Sequence, residues 1–331
     1  MFLLEWIDWI RNRLAFCMAM RKIRKNLEGV DLVPTEIFVI LFNNSIEISL
    51  GWNVKVKYVD RGDYCKVEWN TYTKNSEERT KKIKYHQNFL DVFFNDFAAI
   101  LQISKPHLRD LVILMDGCHF VRYTKEHRSK QYRQSGVPDT TMLKLFENYQ
   151  KIMDFFKDHP MRIKKLKITV FENSQISQML TKIKTEELSI MTTFGGVGSL
   201  DFEEIVKLKN WKSIKYLSLL DFSVVHPVNL FIDKPTLFLT IDDISSEEIR
   251  LIAETFRNNP NMEEWHLNFD DHLDVMDLLV SELGQPSQED DWYFNVPGSE
   301  KVFHVSIWSE IGKLSFYNLD RDEVSEGIEI Y

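Results

Sequence analysis

Five short apolar segments between residues 166 and 269 constrain the fold of this chain more than any other feature of its sequence. Their starts are 22, 29, 20 and 28 residues apart, and they cover residues 166–170, 188–190, 217–219, 237–241 and 265–269. Each segment is short and apolar enough to be a buried strand. Intervals of this length are typical of leucine-rich-type units, in which every unit contributes one strand and one helix.

Helical patterns fill the gaps between these strands. The sequence predicts helices over residues 141–157, 174–184, 201–210 and 245–258, and a further strand over residues 111–114. The last of these helices begins at Ser245, a good N-cap residue, and Pro260 follows its end. Because a strand, a helix and a second parallel strand form a right-handed crossover unit, we expect a curved parallel sheet backed by helices.

The regions on either side of these units have other patterns. Residues 36–85 alternate between apolar and polar side chains, which predicts antiparallel strands with a hairpin turn at Gly62. A helix is predicted over residues 88–103, a polar loop over 284–291, and a closing hairpin over 302–308 and 313–317 that covers the sheet edge. The expected fold is therefore α/β, with antiparallel N-terminal strands and irregular leucine-rich-repeat-like strand–helix units forming a curved sheet.

Charge is distributed unevenly along the chain. Residues 241–331 contain 5 Lys and Arg against 22 Asp and Glu, a local net charge of −17, whereas the whole chain carries −9. Such an acidic region repels phosphates, so we expect no nucleic-acid partner. The basic stretch 122–133 is expected to be an exposed loop, either simply solvated or able to meet an acidic or phosphorylated partner.

The cysteines and the N-terminus indicate where the protein acts. Three cysteines without a C-x-x-C spacing exclude a disulfide scaffold and a zinc finger and favour a reducing, cytoplasmic or nuclear setting. Residues 1–27 form a basic amphipathic helical pattern, which would also fit a presequence or a membrane-surface helix. The early acids Glu5 and Asp8 favour a helix that packs on protein. No apolar run is long enough for a bilayer, so we expect no membrane association.

The chain shows no convincing catalytic or ligand-binding motif. Cys118 and His119 are neighbours at the end of a strand, so their side chains point to opposite faces and form no dyad. The acids between residues 270 and 277 lack the glycine and distal glutamate of a calcium loop. The glycine-rich run 194–198 has neither the G-x-G-x-x-G register nor a P-loop lysine. We therefore expect a protein that is not an enzyme and uses no cofactor or metal.

Several segments resemble a known family. They are residues 88–101, 163–168, 211–218 and 244–265. The three segments from residue 163 onward are similar to the FTH domain, the strand–helix module attached to nematode F-box A proteins, and residues 88–101 are similar to the helix in that family's preceding region. Residues 13–27 resemble the last two helices of an F-box. The resemblance implies an F-box-like helical remnant over residues 1–30 and an FTH-type interaction domain over residues 31–331.

The first half of the F-box is missing from this resemblance. An F-box normally opens with an L-P-x-E signature that leads into helices, and the run from Leu32 to Glu36 looks like that opening. The residues after Glu36, however, alternate as in a strand, so we interpret Pro34 as the residue that leads into the strand. The N-terminal F-box is therefore expected to be divergent or incomplete.

The resemblance also implies a function. The chain would be a non-catalytic substrate-recognition subunit of a cullin-type ubiquitin ligase, and it would bind an unidentified protein substrate. It would dock on the Skp-type linker subunit of the ligase through Leu14, Met18, Ile23 and Leu27. Packing of the same four residues within the chain fits equally well. The alternative function is a stand-alone protein-binding module that lacks a functional F-box and has no ligase link.

The partner is expected to bind the strand residues that alternate with the buried ones. These residues are Lys165, Lys167, Thr169, Glu187, Ser189, Ser218, Phe238, Thr240, His266 and Asn268. Phe238 is the large apolar side chain among them. We predict that Phe238 and His266 contact the partner, while Lys165 and Lys167 steer its approach. The alternative is that helices cover this face and leave Phe238 in the core.

Overall fold

Two compact units make up the described part of the protein. The computed structural model describes residues 34–42, 44–51, 54–72, 78–115, 140–170, 172–192, 200–224, 228–269 and 275–331. The first unit holds the described residues up to 109 except residues 40–42, and the second holds residues 40–42 and those from 110 onward. The F-box-like residues Leu14, Met18, Ile23 and Leu27 lie outside the described residues, as does the basic stretch 122–133.

The first unit consists of an antiparallel sheet and one helix. Its elements are β1 (Glu36–Phe42), β2 (Ser45–Leu50), β3 (Val54–Asp60), β4 (Cys65–Tyr72), β5 (Glu78–Tyr85) and α1 (Phe89–Ser104), with residues 40–42 of β1 counted in the second unit. The strands lie in chain order, and each pair of neighbours from β2 to β5 is antiparallel. The strands predicted from the period-two alternation are therefore confirmed, and α1 matches the predicted helix to within one residue at each end.

Local signals in the sequence explain this unit. Gly62 has a φ of 80° in the β3–β4 turn, a conformation that glycine adopts readily. Its N–H donates to the carboxylate of Asp60 at 2.9 Å. The side chain of Asn88 caps α1 by accepting a first-turn N–H at 2.9 Å. The helix packs on the sheet, where the ring of Phe93 lies 5.7 Å from that of Tyr58.

The second unit combines a large mixed sheet with helices. Its elements are β6 (Asp110–Met115), α2 (Thr140–Phe155), β7 (Met161–Arg162), β8 (Lys165–Val170), α3 (Asn173–Lys182), β9 (Ile183–Lys184), β10 (Glu187–Thr192), β11 (Tyr216–Val224), β12 (Thr236–Ile241), α4 (Ser246–Asn258), β13 (Glu264–Phe269), α5 (Val275–Leu283), β14 (Asp291–Asn295), β15 (Lys301–Trp308) and β16 (Lys313–Asp320). The short strands β7 and β9 form a separate parallel pair.

The main sheet of this unit is parallel on one side and antiparallel on the other. Its strand order is β6-β8-β10-β11-β12-β13-β16-β15-β14, and the strands from β6 to β13 are all parallel. The hairpin β15–β16 pairs antiparallel with β13 and covers that edge, as the sequence predicted. The mixed α/β class is confirmed. β14 was not predicted, because a five-residue strand behind a polar loop shows too little alternation.

The core lies on one face of this sheet. Leu166, Leu188, Leu217, Leu237 and Trp265 hold equivalent positions on neighbouring parallel strands and are fully buried. Burial of each such side chain stabilises the fold by about 1.5–3 kcal/mol. The apolar segments recur between residues 166 and 269 because each of them contributes one residue to this buried row.

Helix α4 covers part of that core and begins as predicted. The hydroxyl of Ser245 accepts the N–H of Glu248 at 3.3 Å, and the Glu248 carboxylate accepts the N–H of Ser245 at 2.9 Å. This reciprocal cap holds the helix start in place. At the other end of the helix, the ring of Phe256 meets Trp265 edge-on, with centroids 6.0 Å apart.

The helix predicted over residues 201–210 is wrong. The segment is a series of turns that leads into a short 3-10 helix, Lys209–Ser213. The rings of Phe202 and Trp211 both pack against Phe231, with centroid distances of 5.5 and 6.3 Å. An α-helix over residues 201–210 would be about 15 Å long. The rings of Phe202 near its start and of Trp211 just after its end lie only 6.1 Å apart, so the segment cannot be such a helix. Aromatic packing therefore outweighs the helical pattern.

The connections between the parallel strands differ from one another. An α-helix, α4, connects β12 to β13, whereas the connection from β11 to β12 contains the short 3-10 helix Val228–Phe231. The curved, repeat-like arrangement thus stays a prediction. Among the helices that the structure describes, none combines the length and the apolar character needed to cross a membrane.

Candidate functional site

The candidate site is the face of the second unit's sheet that lies opposite the core. Residues that alternate with the buried leucines point to this face. The strand register places Lys167, Ser189, Ser218, Phe238 and His266 side by side across five strands. The short side chains in this row are shielded by larger neighbours, since Ser189 and Ser218 are buried. The outward-facing residues predicted from the sequence therefore share one face but differ in exposure.

Aromatic side chains form a continuous series of ring contacts on this face. We call this series the aromatic ladder, and it consists of Tyr216, Phe238, His266, Tyr317, His304 and Tyr293. The ring centroid of Phe238 lies 5.4 Å from that of Tyr216 and 4.6 Å from that of His266. His266 in turn meets Tyr317 edge-on at 5.3 Å. The ladder thus joins β11, β12, β13 and β16.

The ladder continues to the antiparallel edge of the sheet. His304 on β15 stacks on Tyr317 with centroids 5.6 Å apart and on Tyr293 with centroids 4.4 Å apart. Each aromatic contact of this kind contributes about 0.5–1.5 kcal/mol beyond simple burial. The rings therefore hold one another in place, although Phe238 and Tyr317 are only half-buried.

His266 is held at both ring nitrogens. Its Nε2 lies 3.1 Å from the Glu264 carboxylate, and its Nδ1 lies 3.0 Å from the hydroxyl of Ser315. A carboxylate can only accept, so the hydrogen belongs on Nε2 and Nδ1 accepts from Ser315. Burial lowers the pKa of His266, and the hydrogen bond with Glu264 opposes this effect. The ring is therefore neutral near pH 7, and the charge of Glu264 is not cancelled.

His304 repeats this arrangement two strands away. Its Nε2 lies 2.9 Å from the carboxylate of Asp291, at the start of β14. Burial, with a smaller contribution from the charge of Asp291, raises the pKa of Tyr293, so its hydroxyl stays protonated. The ladder thus contains two histidine–carboxylate pairs, one on either side of Tyr317.

The basic end of the face lies on β8. Lys165 Nζ is 3.9 Å from one carboxylate oxygen of Glu187, and Lys164 Nζ is 3.2 Å from the other. Strand β12 lies three strand spacings from β8, about 14 Å, so neither Lys165 nor Lys167 is placed to touch Phe238.

The structure brings two of the four predicted contact residues together. Phe238 and His266 touch, and Phe238 is half-buried with part of its ring accessible, while His266 is only 6% exposed. Lys165 and Lys167 are on the same face but apart from this pair. Whether these residues bind a partner stays a prediction.

Sequence reasoning missed four members of the ladder. They are Tyr216, Tyr317, His304 and Tyr293. Alternation alone would place His304 with Ser306, and Tyr317 with Ser315, on one face of the hairpin. Alternation does not show whether this face of the hairpin joins the sheet face that bears Phe238 and His266, because that depends on the register in which β16 pairs with β13.

The other chemical candidates give no site in the described residues. The Cys118–His119 pair, the glycine-rich run 194–198 and the acids at 270–274 lie outside them. Within the described ranges, no three His, Cys, Asp or Glu side chains are grouped as metal ligands. Burial raises the pKa of the Cys65 thiol to about 12, which leaves it unreactive at neutral pH.

Comparison with known proteins identifies the part of the chain that carries most of this face. No curated protein and no solved structure shows significant similarity to the chain. Residues 146–276 match the family model of the FTH domain, a range that runs from α2 to the start of α5 and includes the strands bearing Phe238 and His266. The match confirms the family predicted from the resemblance and does not extend to the F-box-like residues 1–30. The chain therefore contains an FTH domain over residues 146–276.

Proposed function

We propose that this protein is a non-catalytic substrate-recognition subunit of a cullin-type ubiquitin ligase, acting in the cytoplasm or nucleus. Its FTH domain supports this proposal, because that family is associated with F-box proteins, and this association suggests a protein-interaction role. In this proposal residues 1–30 are a divergent F-box, and the protein binds neither nucleic acid nor membrane.

The aromatic ladder is the observation that carries the proposal. A half-buried aromatic ring such as Phe238, supported by neighbouring rings, is typical of residues that dominate binding energy at protein interfaces. We assign Phe238 to direct partner contact, with His266 holding its ring in place at the contact, and Lys165 and Lys167 to electrostatic steering. The strands would form a curved, repeat-like surface on which these residues meet the substrate.

Ligase docking is assigned to the N-terminal segment. Leu14, Met18, Ile23 and Leu27 recur close to helical spacing, so one helical face would place them in an apolar groove of the Skp-type linker subunit. Docking and substrate recognition would then use different parts of the chain, and each can be disrupted separately.

Co-purification tests the ligase link. The tagged full chain should retain the Skp-type linker subunit, and deletion of residues 1–28 should abolish this retention. Phe238→Ser is the matched control: it alters the recognition face and should leave linker binding unchanged. Equal recovery of the linker by the full chain and the deletion variant would contradict the ligase role. That result would leave the alternative, a stand-alone protein-binding module.

A further inference from the structure

Two carboxylates flank the antiparallel half of the aromatic ladder. Glu264 Oε2 accepts from His266 and Asp291 Oδ1 accepts from His304, at 3.1 and 2.9 Å. The second oxygen of each carboxylate accepts no hydrogen bond from any residue that the structure describes. Their side chains are 39% and 32% exposed. Each carboxylate is therefore held in place by an imidazole on one side and available to a ligand on the other.

The electrostatics of this region favour a cation. Burial lowers the pKa of His266, so no imidazolium offsets the charge of Glu264 near neutral pH. The region from residue 241 to the end of the sequence has a net charge of −17, which adds a long-range attraction for positive groups. Lys313 also lies on this face, two residues from Ser315 on β16, and its charge helps to lower the pKa of His266, so it offsets part of the negative charge there. Anionic partners, by contrast, would be repelled.

The rings strengthen this preference. The faces of tyrosine rings attract ammonium and guanidinium groups, and an arginine can stack on a ring while its hydrogen-bond donors reach a carboxylate. Tyr317 lies beside Glu264 in the strand register, and Tyr293 is two residues from Asp291 on β14. Tyr317 is half-buried and offers part of its ring next to Glu264. Tyr293 is only 8% exposed and its ring stacks on His304, so Asp291 attracts a cation through its charge alone.

The spacing of the two carboxylates defines the shape of the ligand. β13 and β14 are separated by β16 and β15, which amounts to three strand spacings or about 14 Å. Asp291 also lies two residues, or about 7 Å, along β14 from the register row of Glu264, so the two residues are about 16 Å apart. Two long basic side chains can span this distance from backbone positions that are slightly closer together. An extended peptide advances about 3.4 Å per residue, so side chains at positions i and i+4 point the same way and are about 14 Å apart.

We propose that this half of the aromatic ladder binds an extended basic segment of a protein partner, in which two Arg or Lys side chains at positions i and i+4 pair with Glu264 and Asp291. The proposal rests on the proposed recognition function and specifies the chemistry of the substrate segment. The segment runs across the strands, and the cation that pairs with Glu264 stacks on Tyr317.

Labelled peptides test this proposal on the purified full chain. Peptides of about twelve residues in a Ser/Ala background carry two arginines at i and i+2, i and i+4, or i and i+6, and a fourth carries glutamates at i and i+4. Fluorescence anisotropy should show the tightest binding for the i, i+4 arginine peptide and none for the glutamate peptide. Equal binding of all the arginine spacings, or binding of the glutamate peptide, would overturn the proposal.

Variants of the two carboxylates connect the binding to the ladder. Glu264→Gln and Asp291→Asn keep a hydrogen-bond acceptor for the histidine and remove the charge, so each should weaken the i, i+4 peptide about tenfold. Glu254→Gln is the matched control, because it removes an exposed carboxylate from α4, on the opposite side of the sheet, and should leave the affinity unchanged. Unchanged thermal unfolding of the variants shows that they are folded. Equal affinity of all three variants would contradict the assignment.

A single-stranded RNA of about twelve nucleotides serves as a competing ligand, since aromatic sheet faces also stack on bases. Binding of the RNA in preference to the arginine peptide would overturn the proposal. If no peptide binds but the full chain still retains the Skp-type linker subunit, the ligand chemistry is wrong and the adaptor proposal stands. If the linker is not retained but the i, i+4 peptide binds, the ligase link alone fails.

Discussion

The rings of Phe238 and His266 lie 4.6 Å apart, centroid to centroid, on two neighbouring parallel strands. His266 is 6% exposed and bonded at both ring nitrogens, whereas Phe238 is half-buried. The buried ring is thus fixed by polar contacts and supports an accessible aromatic ring beside it. This combination of a rigid support and an accessible apolar surface is what a binding site on a sheet face requires.

Phe238 is expected to matter more for binding than for stability. Phe238→Ser removes a half-buried ring and should lower the free energy of unfolding by about 1–2 kcal/mol. Phe256→Ser is the matched control on the core face, where a fully buried ring is lost, and should cost about 3–5 kcal/mol. Urea unfolding measures both values. Phe238→Ser should also weaken partner capture, and a loss of stability as large as that of Phe256→Ser would place Phe238 in the core.

Asp96 should make the stability of the first unit depend on pH. Burial raises the pKa of Asp96 from 3.8 to about 6, although it accepts a hydrogen bond from Tyr58 at 2.8 Å. The folded state therefore holds the proton more tightly than the unfolded state. The contribution of the protonated Asp96 to the free energy of unfolding is complete below pH 3.8. It is lost as pH rises through about 6, and the total loss is up to about 3 kcal/mol.

Asp96→Asn removes this dependence. The variant should be more stable than the natural protein at pH 7 and nearly equal to it at pH 4, as measured by urea unfolding at both values. Asp91→Asn, which alters an exposed acid on the same helix, is the control and should keep the natural pH dependence. A constant stability difference between Asp96→Asn and the natural protein across this range would contradict the prediction.

Gly312 should not tolerate a side chain. Its φ is +60°, and an added Cβ would lie 2.6 Å from the backbone oxygen of Phe269 at the end of β13. Gly312→Ala should therefore lower the free energy of unfolding by about 2–4 kcal/mol. Gly298→Ala is the control, with a φ of +70° and no atom within 4 Å of the added Cβ, and should cost about 1 kcal/mol. Urea unfolding measures both losses. If the two variants lose similar amounts of stability, the contact with the backbone oxygen of Phe269 is unimportant.

The cap of α4 should contribute measurably to stability. Ser245→Ala removes the hydroxyl that accepts the N–H of Glu248 and should cost about 1 kcal/mol. Ser246→Ala changes the next residue, the first of the helix, and should have an effect near zero. The midpoints of urea unfolding compare the two, and equal midpoints would speak against the cap.

Much of the fold could be predicted from short stretches of sequence. The alternation over residues 36–85, the turn at Gly62 and the capping residue Ser245 each depend on a few neighbouring residues, and the structure contains all three features. The resemblance to the FTH domain was predictable for the same reason, because it rests on strand and helix patterns that recur within the matched residues.

The failures have one physical cause, which is packing between residues that are distant in the sequence. Residues 201–210 form turns in place of the predicted helix because Phe202 within this segment and Trp211 just after it both pack on Phe231. The hairpin β15–β16 brings His304 and Tyr317 to the ladder only because β16 pairs with β13 in one register. A shift of one residue would turn both rings to the opposite face.

The sequence by itself thus determined where most strands and most helices lie, since their positions depend on local periodicity, capping and turn conformation. It also placed Phe238 and His266 on the outward positions of their strands. Only the tertiary structure decided that they belong to a longer ladder with Glu264 and Asp291 beside it. Strand order and register set these neighbours, and both result from the packing of the whole sheet on its helices.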